Sequence, residues 1–289
     1  MRFGVIGVGR WGQNHVRALK ELGLLYGVFD ANRERMEQIS RAFDVKAFES
    51  LEDEELKRLD AAVIAVPATL HYDIAVSLIN KGLNLLIEKP AATSKKQVLE
   101  ISTLAKKAGV KVGVGYIERF NPAFLRVRQC VKRPIRASFY RISPSANIGD
   151  VGVVFDLMIH DINLSNYLFG RPGVAYRNTT TDGGAHETSA EAILNYGTVT
   201  SYIAASWRAP GKMRRILIYG DEEIVDADLI NKKVICQTSS STQVFDEKPR
   251  DQLRDELEAF ARYIRGEAEF PNIDEAIVDV EVAERVLKG

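Results

Sequence analysis

A glycine-rich turn near the amino terminus constrains this chain more than any other feature. A short apolar run leads into GVGRWG, residues 7–12, and a helical pattern follows. This is a G-x-G-x-x-G motif at a strand-to-helix turn. Gly7 permits the tight turn, Gly9 lets the backbone approach a pyrophosphate, and Gly12 lets helix and strand pack closely. The turn predicts a dinucleotide phosphate at the N-terminus of the first helix.

A carboxylate follows the second predicted strand, residues 24–29, at the spacing that a dinucleotide site requires. Asp30 stands about 20 residues after the glycine turn, where it can accept both ribose hydroxyls of an adenosine. A carboxylate there repels a 2′-phosphate, so NAD is the expected cofactor. Arg33 stands nearby and could pair with a 2′-phosphate, so NADP is the weaker alternative. A methyltransferase-type nucleoside site and a plain glycine turn share these features and stay open at this point.

Composition excludes several classes of protein. Lysine plus arginine and aspartate plus glutamate both number 39, so no basic surplus would hold nucleic acid or anionic lipid. No apolar run approaches the roughly 20 residues of a membrane span, and the first strand leaves no room for a signal peptide. We therefore expect a cytoplasmic protein. Cys130 and Cys236 lie far apart in the sequence and lack the spacing of metal-binding cysteines. We therefore expect both to be reduced residues that pack in the interior, and we expect no structural metal.

The order of predicted elements divides the chain in two. Over residues 1–118, buried apolar strands alternate with helices, which predicts a Rossmann-type, doubly wound parallel sheet. In residues 119–289, β-rich runs without intervening helices predict an α+β domain with an open, mainly antiparallel sheet. The expected fold class is α/β, with an N-terminal NAD-binding domain and a C-terminal domain for substrate binding and oligomerisation.

Residues that directly follow the parallel strands are the candidates for cofactor binding, because ligands of such sheets lie beyond the carboxyl ends of the strands. His71 opens a predicted helix, and a simple helix-start role is its alternative. The predicted cofactor-binding residues are Gly7, Gly9, Arg10, Trp11, Gly12, Asp30, Pro67, Thr69, His71, Glu88 and Lys89.

One lysine and one Asp-His pair carry the predicted chemistry. Lys89 follows the fifth strand, where it could orient a substrate hydroxyl; a solvated lysine is the alternative. Asp156 and His160 stand four apart in an apolar helix, so both face the same side. A carboxylate one turn from an imidazole can orient it as the general base of an alcohol oxidation. A helix cap or a satisfied polar pair stays open, and a metal site would need more ligands.

Three further residues stand where the first predicted domain ends. Tyr116, Arg119 and Asn121 offer an aromatic ring, a cation and an amide for a substrate. Trp207, after an alternating strand, is expected to pack on the sheet. The predicted substrate-binding residues are Lys89, Tyr116, Arg119, Asn121, Asp156 and His160.

The ordered set of motifs resembles the glucose-fructose oxidoreductase / inositol dehydrogenase / MocA (GFO/IDH/MocA) family of sugar oxidoreductases. The motifs are GVGRWG, Asp30, the turn at residues 67–71, Glu88-Lys89-Pro90 and Asp156-x-x-x-His160-Asp161. The resemblance implies hydride transfer between a sugar hydroxyl carbon and nicotinamide, with Lys89, Asp156 and His160 as catalytic residues. It also implies a homodimer or homotetramer assembled through the open sheet.

Two segments narrow the resemblance. IERFNPAF (residues 117–124) and IGDVGVVFDLMIHDIN (residues 148–163) most resemble UDP-N-acetylglucosamine 3-dehydrogenases, which oxidise the sugar 3-hydroxyl. This implies a nucleotide-sugar substrate. An inositol or free-sugar dehydrogenase and a non-catalytic sensor of NAD or sugar are the alternatives. Asn163 departs from the family pattern, which usually has a second aspartate there.

Overall fold

The computed structural model describes residues 1–144 and 149–288, and these form two compact units. The first unit comprises Met1–Gly115 and Asp251–Ile277, and the second comprises Tyr116–Arg250 and Val278–Gly289. Ile148, the first residue of the second resemblance segment, lies outside the described residues. The domain boundary expected after residue 118 remains a prediction, and the compact units assign residues 251–277 to the first unit.

A parallel six-stranded sheet forms the centre of the first unit, in the order β3-β2-β1-β4-β5-β6. Every residue of β1, β4 and β6 is buried, as expected for strands covered on both faces. The doubly wound parallel sheet predicted from the sequence is confirmed. The strands are β1 (Phe3–Ile6), β2 (Leu25–Phe29), β3 (Lys46–Ala47), β4 (Ala61–Ile64), β5 (Asn84–Glu88) and β6 (Val112–Gly115).

Helices alternate with these strands, and two of the four begin at a side-chain cap. The Asn32 side chain accepts a hydrogen bond from the backbone N of Arg35 at the start of the second helix. Ser94 does the same for the fourth, which ends at Gly109 with a φ of +71°. The helices are α1 (Arg10–Glu21), α2 (Arg33–Phe43), α3 (His71–Asn80) and α4 (Lys95–Ala108).

An eight-stranded sheet dominates the second unit, in the order β14-β13-β12-β11-β7-β10-β9-β8. Only the β7–β10 pair is parallel, which confirms the mainly antiparallel sheet. Alternate residues of the central strands are buried, so one face forms a core. The strands are β7 (Pro134–Ile142), β8 (Gly173–Thr180), β9 (Ser189–Asn195), β10 (Thr200–Ser206), β11 (Met213–Gly220), β12 (Ile224–Asp228), β13 (Lys233–Gln237) and β14 (Thr242–Asp246).

The helix predicted over residues 154–169 has two parts. A π-helical turn, Val154–Met158, carries Asp156, and α6 (Ile159–Phe169) carries His160. An earlier helix, α5 (Pro122–Cys130), packs on β12 and β13, whereas α6 packs on β7 and β10. The closing helices are α7 (Gln252–Ile264) and α8 (Ile273–Leu287). None of the helices in the described part of the chain is long and apolar enough to cross a membrane.

The expectation of two reduced cysteines is wrong. Cys130 at the end of α5 and Cys236 on β13 form a disulfide, with their Cα atoms 6.2 Å apart. The physical reason is the packing of α5 against β13, which brings together two residues separated by 106 positions. Sequence spacing contains no information about that tertiary contact.

Candidate active site

The glycine turn has the backbone of a phosphate site. Gly7 has a φ of +91°, and a Cβ there would lie 2.7 Å from the carbonyl oxygen of Ala65. Gly12 has no room for a Cβ because the Gly7 carbonyl oxygen occupies that place. Around Gly9, apart from Gly9 itself and its two chain neighbours, no heavy atom of the described residues lies within 4 Å of where a Cβ would be. This space lies beside the N-terminus of α1, where no side chain caps the helix. The space and the uncapped backbone amides therefore suit a pyrophosphate.

A buried carboxylate ties the glycine turn to the end of β5. Oε1 of Glu88 accepts hydrogen bonds from Nε1 of Trp11 and from Nε2 of His15, both at 2.6 Å. Burial opposes ionisation of Glu88, but the bonds from His15 and Trp11 lower its pKa. Trp11 and Glu88, both predicted to bind the cofactor, thus bond to each other, while Arg10 is exposed at the start of α1. Their contact with a cofactor stays a prediction.

Asp30 lies at the end of β2, as the sequence predicts. Its carboxylate accepts hydrogen bonds from the backbone N of Val8 and of Asn32, each at 2.8 Å, and from the guanidinium of Arg35. Burial raises the pKa of Asp30, but the bonds from Arg35, Asn32 and Val8 outweigh it and lower the pKa below its ordinary value. The residue is therefore a carboxylate beside the glycine turn.

His71 links the turns that follow β4 and β5. Its buried ring places Nδ1 2.8 Å from the carbonyl oxygen of Pro90 and Nε2 2.9 Å from that of Val66. The ring therefore holds the two turns together as well as opening α3. Pro67 and Thr69 lie exposed in the first of these turns. Direct contact of His71 with a cofactor stays a prediction.

Lys89 stands in the second of these turns, at the end of β5. Its side chain is half-buried, and its backbone N donates to Oε2 of Glu88 at 3.3 Å. The Lys89-Pro90 peptide bond is cis, an isomer that the sequence left open. Glu88 on one side and the Pro90–His71 contact on the other thus fix the backbone that presents Lys89.

In the second unit, the π-helical turn presents Asp156 and the first turn of α6 presents His160. Both side chains are half-buried. Nε1 of Trp207 donates a hydrogen bond to Oδ2 of Asp156 at 3.1 Å. The π-helical turn departs from ordinary helical spacing, and such turns are frequent at functional sites. Trp207 is buried, as expected for sheet packing, but its bond to Asp156 was not predicted because nothing in the sequence connects β10 to this helix.

A buried ion network anchors the helix next to His160. Arg141 on β7 donates to both carboxylate oxygens of Asp161, at 3.0 and 2.8 Å, and to Oε1 of Glu118 at 2.8 Å. Arg214 also donates to Oε1 of Glu118 at 2.8 Å. Although burial opposes ionisation, the two arginines lower the pKa of Glu118 to about 2. Burial raises the pKa of Asp161, and its bonds to Arg141 only partly offset this.

Sequence reasoning missed this network, although a signal for it exists. Ala137, Phe139 and Arg141 occupy alternate, inward-facing positions of β7. An arginine at an inward position needs a buried carboxylate partner. Asp161, which directly follows His160 on α6, is that partner.

Two of the three residues predicted to bind substrate at the end of the first domain, Asn121 and Arg119, have partners inside the second unit. Asn121 is buried; its Nδ2 donates to Glu118 and to the carbonyl of Leu229, and its Oδ1 caps α5. The guanidinium of Arg119 lies 3.4 Å from the ring centre of Tyr167. Tyr116 is buried. Their roles toward a substrate stay predictions.

Asn163, the departure from the family pattern, contacts the last helix. Its Nδ2 donates to Asp279 at 2.8 Å, and the amide of Asn166 donates to the other oxygen of the same carboxylate at 2.8 Å. An aspartate at position 163 would face Asp279 with a like charge. The neutral amide of Asn163 therefore suits the contact with Asp279 on α8 better than an aspartate would.

Comparisons with known proteins match both parts of the chain. Residues 1–116 match the family model described as oxidoreductase family, NAD-binding Rossmann fold, of GFO/IDH/MocA proteins. Residues 124–226 match the GFO/IDH/MocA C-terminal domain. The chain belongs to the GFO/IDH/MocA oxidoreductase family. The resemblance drawn from the ordered motifs is confirmed.

Individual members of the family are similar over most of their length. The chain is 31% identical to a UDP-N-acetylglucosamine 3-dehydrogenase of Acidithiobacillus ferrooxidans, over 91% of this chain and 88% of the relative. A solved structure of that enzyme superposes with a TM-score of 0.93 at 28% identity, covering 99% of this chain and 96% of the other. A myo-inositol dehydrogenase of Streptomyces leeuwenhoekii is 30% identical over 70% of this chain and 66% of the relative.

Proposed function

We propose that this family member is an NAD-dependent dehydrogenase that oxidises the 3-hydroxyl of UDP-N-acetylglucosamine. The observation that carries the proposal is the 31% identity to a UDP-N-acetylglucosamine 3-dehydrogenase over 91% of the chain. The local resemblance supports it too. IERFNPAF contains Glu118, and the second segment contains Asp161, so both segments contribute to the network that anchors the helix of His160.

In this proposal, His160 is the general base. Its Nδ1 is buried, so Nε2 is the nitrogen that takes the proton from the sugar 3-hydroxyl. Asp156 stabilises the imidazolium that forms, and Trp207 keeps the carboxylate in place through its 3.1 Å bond. Lys89 orients the sugar oxygen and stabilises its developing negative charge. The nicotinamide, when bound, supplies the hydride acceptor for the sugar carbon.

The cofactor proposal rests on the glycine turn and Asp30. The uncapped N-terminus of α1 and the space at Gly9 accept the pyrophosphate, and Asp30 accepts hydrogen bonds from the adenosine ribose. An ionised carboxylate disfavours a 2′-phosphate, so NAD is preferred to NADP. A strong preference for NADPH over NADH in binding titrations would contradict this step.

Assembly through the open sheet is part of the proposal. One row of paired residues crosses all eight strands on the face opposite the core, and six of its eight members are apolar or aromatic. A second copy of the chain would cover this row, and we expect a homodimer or homotetramer. The row is Val244, Ile235, Asp226, Leu217, Ser138, Tyr202, Ile193 and Tyr176.

Size-exclusion chromatography with light scattering, which measures the molar mass of the protein in solution, tests the assembly. Leu217→Glu should produce a monomer, because it buries a charge in the interface. Leu99→Glu, at an exposed position on α4, is the matched control and should leave the assembly intact. An oligomer that survives Leu217→Glu would contradict assembly through this face.

The catalytic proposal is tested by measuring NADH formation. The purified protein is given NAD with UDP-N-acetylglucosamine, UDP-glucose, myo-inositol or glucose. We expect the highest kcat/KM with UDP-N-acetylglucosamine and little turnover of myo-inositol and glucose, which carry no phosphate. The highest kcat/KM with myo-inositol would establish the alternative that the Streptomyces relative supports. NADH binding without turnover of any compound would support a sensor.

A further inference from the structure

The carboxylate of Asp30 is fully occupied within the first unit. Its Oδ1 accepts hydrogen bonds from the backbone N of Asn32 at 2.8 Å and from Nη2 of Arg35 at 2.8 Å. Its Oδ2 accepts from the backbone N of Val8 at 2.8 Å and from Nε of Arg35 at 3.2 Å. A carboxylate offers about four acceptor positions. These four donors therefore saturate it.

A dinucleotide with its ribose on Asp30 needs acceptor positions on the same carboxylate. The amides of Val8 and Asn32 are fixed by the glycine turn and by the start of α2, so they cannot withdraw. Arg35 can leave, because its side chain is 43% exposed and water can take the place of Asp30. Binding of the ribose hydroxyls must therefore displace Arg35 from at least one oxygen.

Arg35 also cancels the charge that makes Asp30 selective. A lone carboxylate repels a 2′-phosphate, but an Asp30–Arg35 ion pair has no net charge. Arg35 lies in the first turn of α2, whose amides add partial positive charge. A 2′-phosphate next to Asp30 would meet a guanidinium that is already in place, in a forked geometry suited to phosphate.

We propose that Arg35 is a cofactor-specificity residue: it competes with the ribose hydroxyls of NAD for Asp30, and it binds the 2′-phosphate of NADP. Arg35 thus weakens the selectivity that Asp30 alone would give. The inference rests on the proposed function only in requiring that the first unit bind a dinucleotide. Arg33, the other arginine at the start of α2, is 76% exposed and donates to Glu37, so it does not compete for Asp30.

The test is a pair of binding titrations without any sugar. NADH and NADPH are titrated by calorimetry into wild type, Arg35→Ala and the matched control Arg33→Ala. In Arg35→Ala, NADH should bind about 2- to 5-fold more tightly, since an ion pair of this exposure opposes it in wild type. NADPH should bind about 10-fold more weakly, because a charge-assisted contact is lost. AMP and adenosine 2′,5′-bisphosphate should show the same opposite shifts, which places the effect at the adenosine end.

Other outcomes overturn the inference. Unchanged or weaker NADH binding in Arg35→Ala would show that Arg35 does not compete with the ribose. If Arg33→Ala loses as much affinity for NADPH as Arg35→Ala does, the 2′-phosphate does not depend on Arg35 in particular, and the inference names the wrong residue. If wild type binds neither dinucleotide, the proposed function fails as well, whereas NADH binding with no effect of Arg35→Ala refutes the inference alone.

Discussion

Glu256 is a buried acid whose replacement by glutamine should make the first unit more stable at neutral pH. It lies on α7, which packs on α1; its side chain is 0% exposed, and neither of its oxygens has a hydrogen-bond partner among the described residues. Burial raises the pKa of Glu256 well above its ordinary value, and repulsion from Glu88 adds to this. His15, the partner of Glu88, is the other titratable group of this cluster. Glu256→Gln keeps the shape of the protonated acid and cannot ionise.

The sign of the effect follows from proton linkage. The folded chain holds the proton of Glu256 more tightly than the unfolded chain, where the pKa is about 4.3. The resulting stability is fully present below that pH and is lost as the pH rises toward the folded-state pKa. Wild type therefore loses about 1.4 kcal/mol per pH unit in this window relative to Glu256→Gln. The two proteins should be about equally stable in acid, and the variant should be more stable at neutral pH.

Urea unfolding at a series of pH values measures the difference. The two tryptophans are Trp11 in the first unit and Trp207 in the second, so a Trp207→Phe background lets fluorescence follow the unit that contains Glu256. Glu258→Gln is the matched control, because Glu258 is exposed on the same helix and pairs with Arg254. If the Glu256→Gln and wild-type curves stay parallel across the pH series, the claim of a neutral buried acid is refuted.

Three further variants test the second unit. His160→Ala should lower kcat by about 100-fold or more while the Kd of NADH is unchanged, as for a lost general base; His186→Ala is the control. Trp207→Phe should lower kcat by about 10-fold through loss of its bond to Asp156, and an unchanged kcat would remove Trp207 from the site. Arg141→Met should lower the free energy of unfolding by about 3–5 kcal/mol because it leaves Asp161 buried without its cation and Glu118 with Arg214 alone, whereas Arg215→Met, at an exposed pair, should cost under about 1 kcal/mol.

The sequence predicted the features that depend on local chemistry. The glycine turn and Asp30 are recognisable because a strand, a turn and a helix follow one another along the chain. Buried parallel strands such as β1 and β4 stand out as continuous apolar runs. The second sheet stands out through alternation, except at β8 and β14. Those two edge strands are almost entirely exposed, so their residues show no alternation to read.

Features that depend on tertiary contacts were beyond the sequence. The bond from Trp207 to Asp156 spans 51 positions, and the Cys130–Cys236 disulfide spans 106. The contact between His71 and the carbonyl oxygen of Pro90 could not be predicted either, because it joins the turns that follow two different strands. Helical periodicity also concealed the π-helical turn at Asp156, because the surrounding run VVFDLMI, residues 153–159, is apolar at every position but Asp156 and shows no shift of phase.

The central claim is transfer of hydride from the sugar carbon that bears the 3-hydroxyl to NAD. UDP-N-acetylglucosamine carrying deuterium at that carbon tests it most directly. After incubation with NAD, mass spectrometry of the reduced cofactor should show one deuterium per molecule, and His160→Ala should produce almost none. Reduced cofactor without deuterium would place the oxidation at another carbon, and an absence of reduced cofactor with this substrate would contradict the proposed activity.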